Sequence, residues 1–178
     1  MNRYPNAAEG LKLVFYSQIV SIIAVLFSWI PVVGVILVLV AGVLNLVGLN
    51  KAADDDGGYR TAFQLTIVRI IVNLVGIFVL ETLLSQVASI LSLAILYFVC
   101  MTTVNLLRGD GDSKLADRGE LVWKINLVCT VVSVALYVLA FIPVLNVLAA
   151  IAAVVIAIVS LVGAILYLMF LNGSYKVL

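Results

Sequence analysis

The chain is predicted to be all-α, a polytopic transmembrane helical bundle whose six spans form three tandem helical hairpins with a pseudo-threefold repeat. Composition, run length and the pattern of polar positions predict it. Of 178 residues 65% are hydrophobic and 11% charged, with a mean hydropathy of +1.30, far outside the soluble range. Runs poor in charge cover residues 13–49, 61–107 and 121–171, divided by KAADDDGGYR and RGDGDSKLADRGE. One helix of roughly 40 residues would measure about 60 Å, twice the ~30 Å of bilayer hydrocarbon, so each run must fold back on itself. Period-2 alternation is absent, and of the two backbone solutions open in lipid only helices remain.

The first helix is expected over Gly10–Ile30, ahead of SWIPVVG (Ser28–Gly34). Proline has no amide to donate and suits a helix's first turn, while the residue before it is pushed out of helical geometry, so Pro31 should open a second helix running to Asn50. Trp29 would lie at headgroup depth. The middle run has no proline. Its polar stretch ETLLSQ (Glu81–Gln86) is the expected break between helices over Tyr59–Thr82 and Leu84–Leu107. Asp117 and Glu120 have capping-box spacing and should start a fifth helix, Asp117–Ile142. AFIPVLN (Ala140–Asn146) repeats the first device, so Pro143 should begin a sixth, Pro143–Leu171. The whole of residues 1–178 reads as one integral membrane domain of hairpins at about 10–50, 58–107 and 117–172.

Arg3, Lys12, Lys51, Arg60, Arg108, Lys114, Arg118, Lys124 and Lys176 lie at the termini, the polar loops or adjoining helix ends, whereas the turns within hairpins hold neither Lys nor Arg. The positive-inside rule then places both termini and both polar loops on the cytoplasmic side of a cell membrane. The N-terminus lacks a signal-peptide pattern and is read as retained.

Aligning the odd helices exposes a repeat: GLKLVFYSQIV from Gly10, GYRTAFQLTIV from Gly58 and GELVWKINLV from Gly119. Each has an aromatic residue four or five positions on (Phe15, Phe63, Trp123) and a polar one three beyond that (Gln18, Thr66, Asn126). Hairpin exits rhyme at Asn50, Asn105 and Asn172. A period of roughly 50–60 residues suits one transmembrane hairpin, and units of one orientation are related by an axis near the membrane normal.

Steps of three and four give a polar face on each odd helix: Gln18, Ser21, Val25, Ser28; Thr66, Arg69, Asn73, Gly76; and Asn126, Cys129, Ser133. Such faces turn inward, because hydrocarbon leaves donors and acceptors unpaired. They can line a path for a polar or anionic solute, with Gln18, Thr66, Arg69, Asn73, Asn126 and Ser133 as its contacts, or serve as interhelical glue at about 0.6–2 kcal/mol per hydrogen bond. Arg69 lies about 12 Å along its helix from Thr61 and is long enough to snorkel. The only acid away from the polar-loop side is Glu81, so proton coupling is not encoded in an obvious form. A second stripe on helix 6, Ala149, Ala153, Ala157, Ser160 and Ala164, lets backbones approach closely, within the chain or against a second copy or partner subunit. Helix 2 has a shorter version in Ala41, Asn45 and Gly48.

Net charge is +1 with no basic block, which argues against nucleic acid as a partner; lipid is the expected surrounding. There is no histidine, and Cys100 and Cys129 lack metal-ligand or redox spacing. AADDDGG and GDGDS do not complete a calcium loop and should cap helices 3 and 5. Neither catalysis, a cofactor nor a metal is expected. Two functional readings follow: a small transporter or channel-like protein using the seam, and a non-catalytic scaffold or accessory subunit that packs against partner helices.

Overall fold

The computed structural model describes residues 3–27, 29–76, 81–139 and 143–178, excluding the side chains of residues 31, 81–83 and 143–149. Six helices follow in chain order: α1 (Pro5–Leu26), α2 (Pro31–Ala52), α3 (Gly57–Gly76), α4 (Glu81–Gly109), α5 (Ser113–Leu139) and α6 (Pro143–Val177). Among the described residues there is no strand. Five stretches, Pro5–Leu26, Val32–Ala52, Leu84–Gly109, Ser113–Leu139 and Ala150–Val177, are long and apolar enough to cross a membrane. α3 is the helix outside that set, and it carries Arg60, Gln64, Arg69 and Asn73.

Pro31 is the first residue of α2, as its chemistry requires, and the described part of α6 opens at Pro143. Ile30 is extended at φ −106°, ψ 96°, the geometry forced on a residue that precedes proline. Pro5 opens α1 in the same way, five residues earlier than expected. Ser28 and residues 140–142 of the two proline-containing stretches lie outside the described residues. The ETLLSQ break is corrected: Glu81–Gln86 are all helical and belong to α4. The described parts of α3 and α4 reach Gly76 and Glu81, and the residues between lie outside the described ones.

The start of α5 also moves. Asp112, not Asp117, supplies the cap: its Oδ1 accepts the Leu115 amide at 3.0 Å, and α5 begins at Ser113. Just before it the chain leaves α4 through Gly111 at φ +87°, where the Gly111 amide reaches Arg108 O at 3.2 Å and the Asp112 amide reaches Leu107 O at 3.0 Å. That pair of bonds closes a helix C-terminus around a left-handed residue. Asp117 and Glu120 instead pair with Arg108 across the α4–α5 junction, and Glu120 also meets Lys124 at 3.4 Å.

The other acidic loop is a capping device as well. Asp56 Oδ1 accepts the Gly58 amide at 2.7 Å and so caps α3. Asp55 reaches across to the start of α1, accepting from Asn6 Nδ2 at 2.9 Å and from the Ala7 amide at 2.7 Å. Lys51 pairs with Glu9 beside it, Arg3 with Asp110 at 3.6 Å, and the Tyr4 amide with Leu178 O at 3.4 Å. The polar loops and both chain ends are thus stitched together at one end of the bundle.

The helices form a ring in chain order: each packs on the next, and α6 returns to α1. Phe15 of α1 against Tyr175 of α6 marks that closure, with ring centroids 5.8 Å apart; Trp123 of α5 stands edge-on to Tyr97 of α4 at 4.9 Å. Within hairpins glycine sets the spacing. A Cβ at Gly48 would lie 2.6 Å from Gly10 O, and one at Gly10 would collide with Gly48 O in return. A Cβ at Gly58 would strike Thr102 Oγ1, and one at Gly119 would lie 2.6 Å from the Phe170 ring and from Val104. These contacts surround a core of Leu11, Val14, Leu49, Tyr59, Val99, Val104, Leu107, Val122, Phe170 and Leu171, concentrated at the polar-loop end.

Two outcomes follow for thermal unfolding in detergent micelles. Gly48→Val presses on backbone that has nowhere to move, and is expected to cost about 1–3 kcal/mol or more. Gly42→Ala, with nothing within 4 Å, should cost nothing; equal stability of the two variants would contradict the packing described. Removing the shared cap with Asp55→Ala should cost about 1 kcal/mol, against no measurable change for the exposed Asp54→Ala.

Candidate functional site

Because the core sits at the polar-loop end, the ring does not fill toward the opposite end. A cavity of about 800 Å³ lies there, bounded by residues from all six helices. Its floor is the upper surface of the core: Val14, Leu49, Ile95 and Val99 belong to both. Below the floor, Thr103 Oγ1 donates to Val99 O at 2.7 Å, so its 2.8 Å contact with Tyr59 is one in which the phenol donates.

The three repeat-aligned polar residues all reach this cavity. Gln18 arrives from α1, Thr66 from α3 and Asn126 from α5, and Ser21, Arg69 and Asn73 extend the first two faces along its wall. The third face departs from its expected course. Cys129 is buried and off the lining, Ser133 is exposed and off it, and Thr130 takes the wall position four residues after Asn126. On α6 the small-residue stripe divides: Ala164 is on the lining, Ala153 and Ala157 are exposed on the bundle surface, Ser160 is half-buried, and the side chain of Ala149 lies outside the described residues.

Other residues contribute that no odd-helix stripe contains. Ser17 lies beside Gln18, Asn45 comes from α2, and Ser89 and Ser92 come from α4. Ser89 and Ser92 stand three apart, so the spacing that marked the odd helices was also present on this even one.

Hydrogen bonding sorts these groups into satisfied and available. Thr66 donates to Ala62 O at 2.8 Å, Asn126 to Val122 O at 2.9 Å and Ser92 to Ala88 O at 2.8 Å, each one turn back on its own helix. Ser17 bridges helices, donating to Ala41 O at 2.9 Å. Gln18 and Asn73 make no hydrogen bond to another described residue, and the buried Asn45 Oδ1 has no partner among them. The three aligned residues therefore do not clasp one another, as glue would.

Arg69 is the one charged residue on the described lining. Its Nη1 donates to Ser92 Oγ at 3.1 Å, its Nε is buried without an acceptor, and no described acid pairs with it. A guanidinium held in this way stands on the lining with donors committed to no acid among the described residues. Among the described residues no group of three or more His, Cys, Asp or Glu is placed to hold a metal ion. The arrangement can bind: it offers one cation, several uncommitted amides and an apolar floor.

No family model, curated protein or solved structure matches the chain.

Proposed function

We propose that this is a six-span, non-catalytic membrane protein that binds and moves a polar anionic solute through the central cavity. The observation that carries the reading is that Gln18, Thr66 and Asn126, equivalent in the three repeats, share one cavity with an Arg69 that no described acid neutralises. An uncompensated cation in a cavity bounded largely by protein and hydrocarbon attracts an anion more strongly than it would in bulk solvent. The free ends of Gln18 and Asn73 supply hydrogen bonds that orient it.

The repeat itself has three supports. Gly10, Gly58 and Gly119, which open the aligned segments, each pack against the even helix of their own hairpin. Phe15 and Trp123, also equivalent, each pack against the even helix of the hairpin preceding theirs around the ring. The ring order supplies the third, since three hairpins of equal orientation close on one another only around a common axis. In this reading α3 crosses the membrane as the others do, with Arg69 and Asn73 facing inward. Both termini and both polar loops are cytoplasmic, by the placement of basic residues. The packed core then closes the cytoplasmic side, and the cavity belongs to a state open on the outer side.

The scaffold reading keeps one observation of its own, the exposure of Ala153 and Ala157 on α6. A partner helix could approach there closely. On that reading Ala157→Trp dissociates a complex in native membranes while the chain remains folded.

Accessibility separates the two. With Cys100 and Cys129 replaced by Ala, the variants Gln18→Cys, Asn73→Cys and Asn126→Cys should react with a charged, membrane-impermeant thiol reagent applied from the outer side; three unreactive positions would end the transport reading. In proteoliposomes Arg69→Leu should reduce anion flux about tenfold or more, the scale of one charge-assisted hydrogen-bonded pair. Arg69→Lys should retain part of it. Flux indifferent to both variants would contradict the role given to this side chain.

A further inference from the structure

We infer that the anion is an amphiphile, a carboxylate or phosphate headgroup carrying a hydrocarbon portion, and that it enters sideways from the bilayer between α2 and α3. The inference rests on the reading of the cavity as an anion site and specifies the class of molecule it takes.

The first support is the shape of the opening. Val38, Leu39 and Val43 of α2 and Leu74 of α3 line the cavity, yet they are 60%, 64%, 59% and 56% exposed. They are therefore lip and outer surface at once. α2 begins at Pro31, so Val38 and Val43 lie about 10 and 18 Å from the turn end of the bundle at 1.5 Å per residue. With ~30 Å of hydrocarbon, that depth faces acyl chains and not headgroups or water. A water-soluble anion finds nothing to bind on such a lip. A hydrocarbon chain does.

The second support is the polarity gradient inward from the lip. Leu74 and Asn73 are adjacent on α3, Arg69 lies four residues deeper on the same helix, and Ser92 of α4 holds the guanidinium by its Nη1. The Nε of Arg69 still lacks an acceptor, and the Asn45 side chain on α2 lacks a partner for its buried oxygen. Either end of that amide can be presented after rotation, so it can meet a hydroxyl, an ester or a protonated headgroup oxygen. A bound oxyanion would supply the acceptor that Nε lacks, and its chain would leave over the valine and leucine lip. The volume of about 800 Å³ falls within the usual range of small-molecule sites, about 300–1,000 Å³.

The test uses the full chain in nanodiscs of neutral phosphatidylcholine. Dioleoyl phosphatidic acid is compared with glycerol phosphate, its water-soluble headgroup, by native mass spectrometry of the retained ligand and by the shift in thermal unfolding. Retention of phosphatidic acid about tenfold above phosphatidylcholine is expected, lost in Arg69→Gln and weakened in Leu74→Trp, with Arg69→Lys retaining both fold and partial binding. Equal or better binding of glycerol phosphate, dependent on Arg69, would overturn the amphiphile and leave the anion site standing. Phosphatidic acid retained equally by Arg69→Gln would place it on the outer surface of the bundle and overturn the inference. If neither compound binds in an Arg69-dependent manner, the anion site falls as well.

Discussion

Helices surrounded by hydrocarbon gain nothing from hiding apolar side chains from one another, so the bundle depends on how closely its backbones can approach. Glycine decides where that happens. The reciprocal contact of Gly10 with Gly48, the seat of Thr102 on Gly58 and the Phe170 ring over Gly119 all lie near the polar loops. The buried core gathers at the same end, as do the caps from Asp55, Asp56 and Asp112 and the ion pairs of Arg3, Lys51 and Arg108. One end of the ring is thereby fastened by packing, hydrogen bonds and charge together. The interior space beyond it goes with this asymmetry: Gly42, midway along α2, has nothing within 4 Å, and Gly163 of α6 meets nothing closer than 3.3 Å.

Much of this was legible in the sequence, and the reasons differ from element to element. Pro31 marks the start of α2 to the residue, since a missing amide and a fixed φ act locally. The start of α5 was misplaced because caps are weak signals that several neighbouring polar residues can imitate. Asp117 with Glu120 matched the spacing of a cap, but Asp112 five residues earlier also could cap, and the turn at Gly111 favoured it. The reach of Asp55 to the start of α1 is a long-range contact, and spacing along a chain cannot reveal one.

The seam shows the same division. A helical step of three or four identifies a face, and it brought Gln18, Ser21, Thr66, Arg69, Asn73 and Asn126 to the cavity wall. Continuing by three to Cys129 and by four to Ser133 left the wall, whereas a single step of four reached Thr130. At 100° per residue either step is acceptable over one turn, and the choice accumulates over two. Asn45, Ser89 and Ser92 were overlooked as wall residues for another reason: the repeat drew attention to the odd helices, and a cavity inside a ring is lined by even ones too. On α6 the alanine stripe divides, with Ala164 on the cavity wall and Ala153 and Ala157 exposed. Close approach to α5 within the chain is made by its glycines, Gly173 against Leu115 at 2.9 Å and Gly163 against Ile125 at 3.3 Å.

The wall also bears on selectivity. A serine or threonine that donates to the carbonyl one turn back has spent its hydrogen, and its oxygen then presents only lone pairs to the cavity. Thr66 and Ser92 are in that condition, and Ser92 has committed a lone pair to Arg69. On the proposed reading such oxygens repel an anion mildly and are not what holds it. The nitrogen donors left over are the amide groups of Gln18, Asn45 and Asn73 and the guanidinium of Arg69. On the proposed reading discrimination therefore rests on α1, α2 and α3, with α3 contributing both charge and amide within about one turn. α3 is also the helix outside the five that are long and apolar enough to cross a membrane. Of its polar residues Arg69 and Asn73 are on the cavity wall while Arg60 and Gln64 are not, so its poorer match to hydrocarbon and its place in the site share part of their cause.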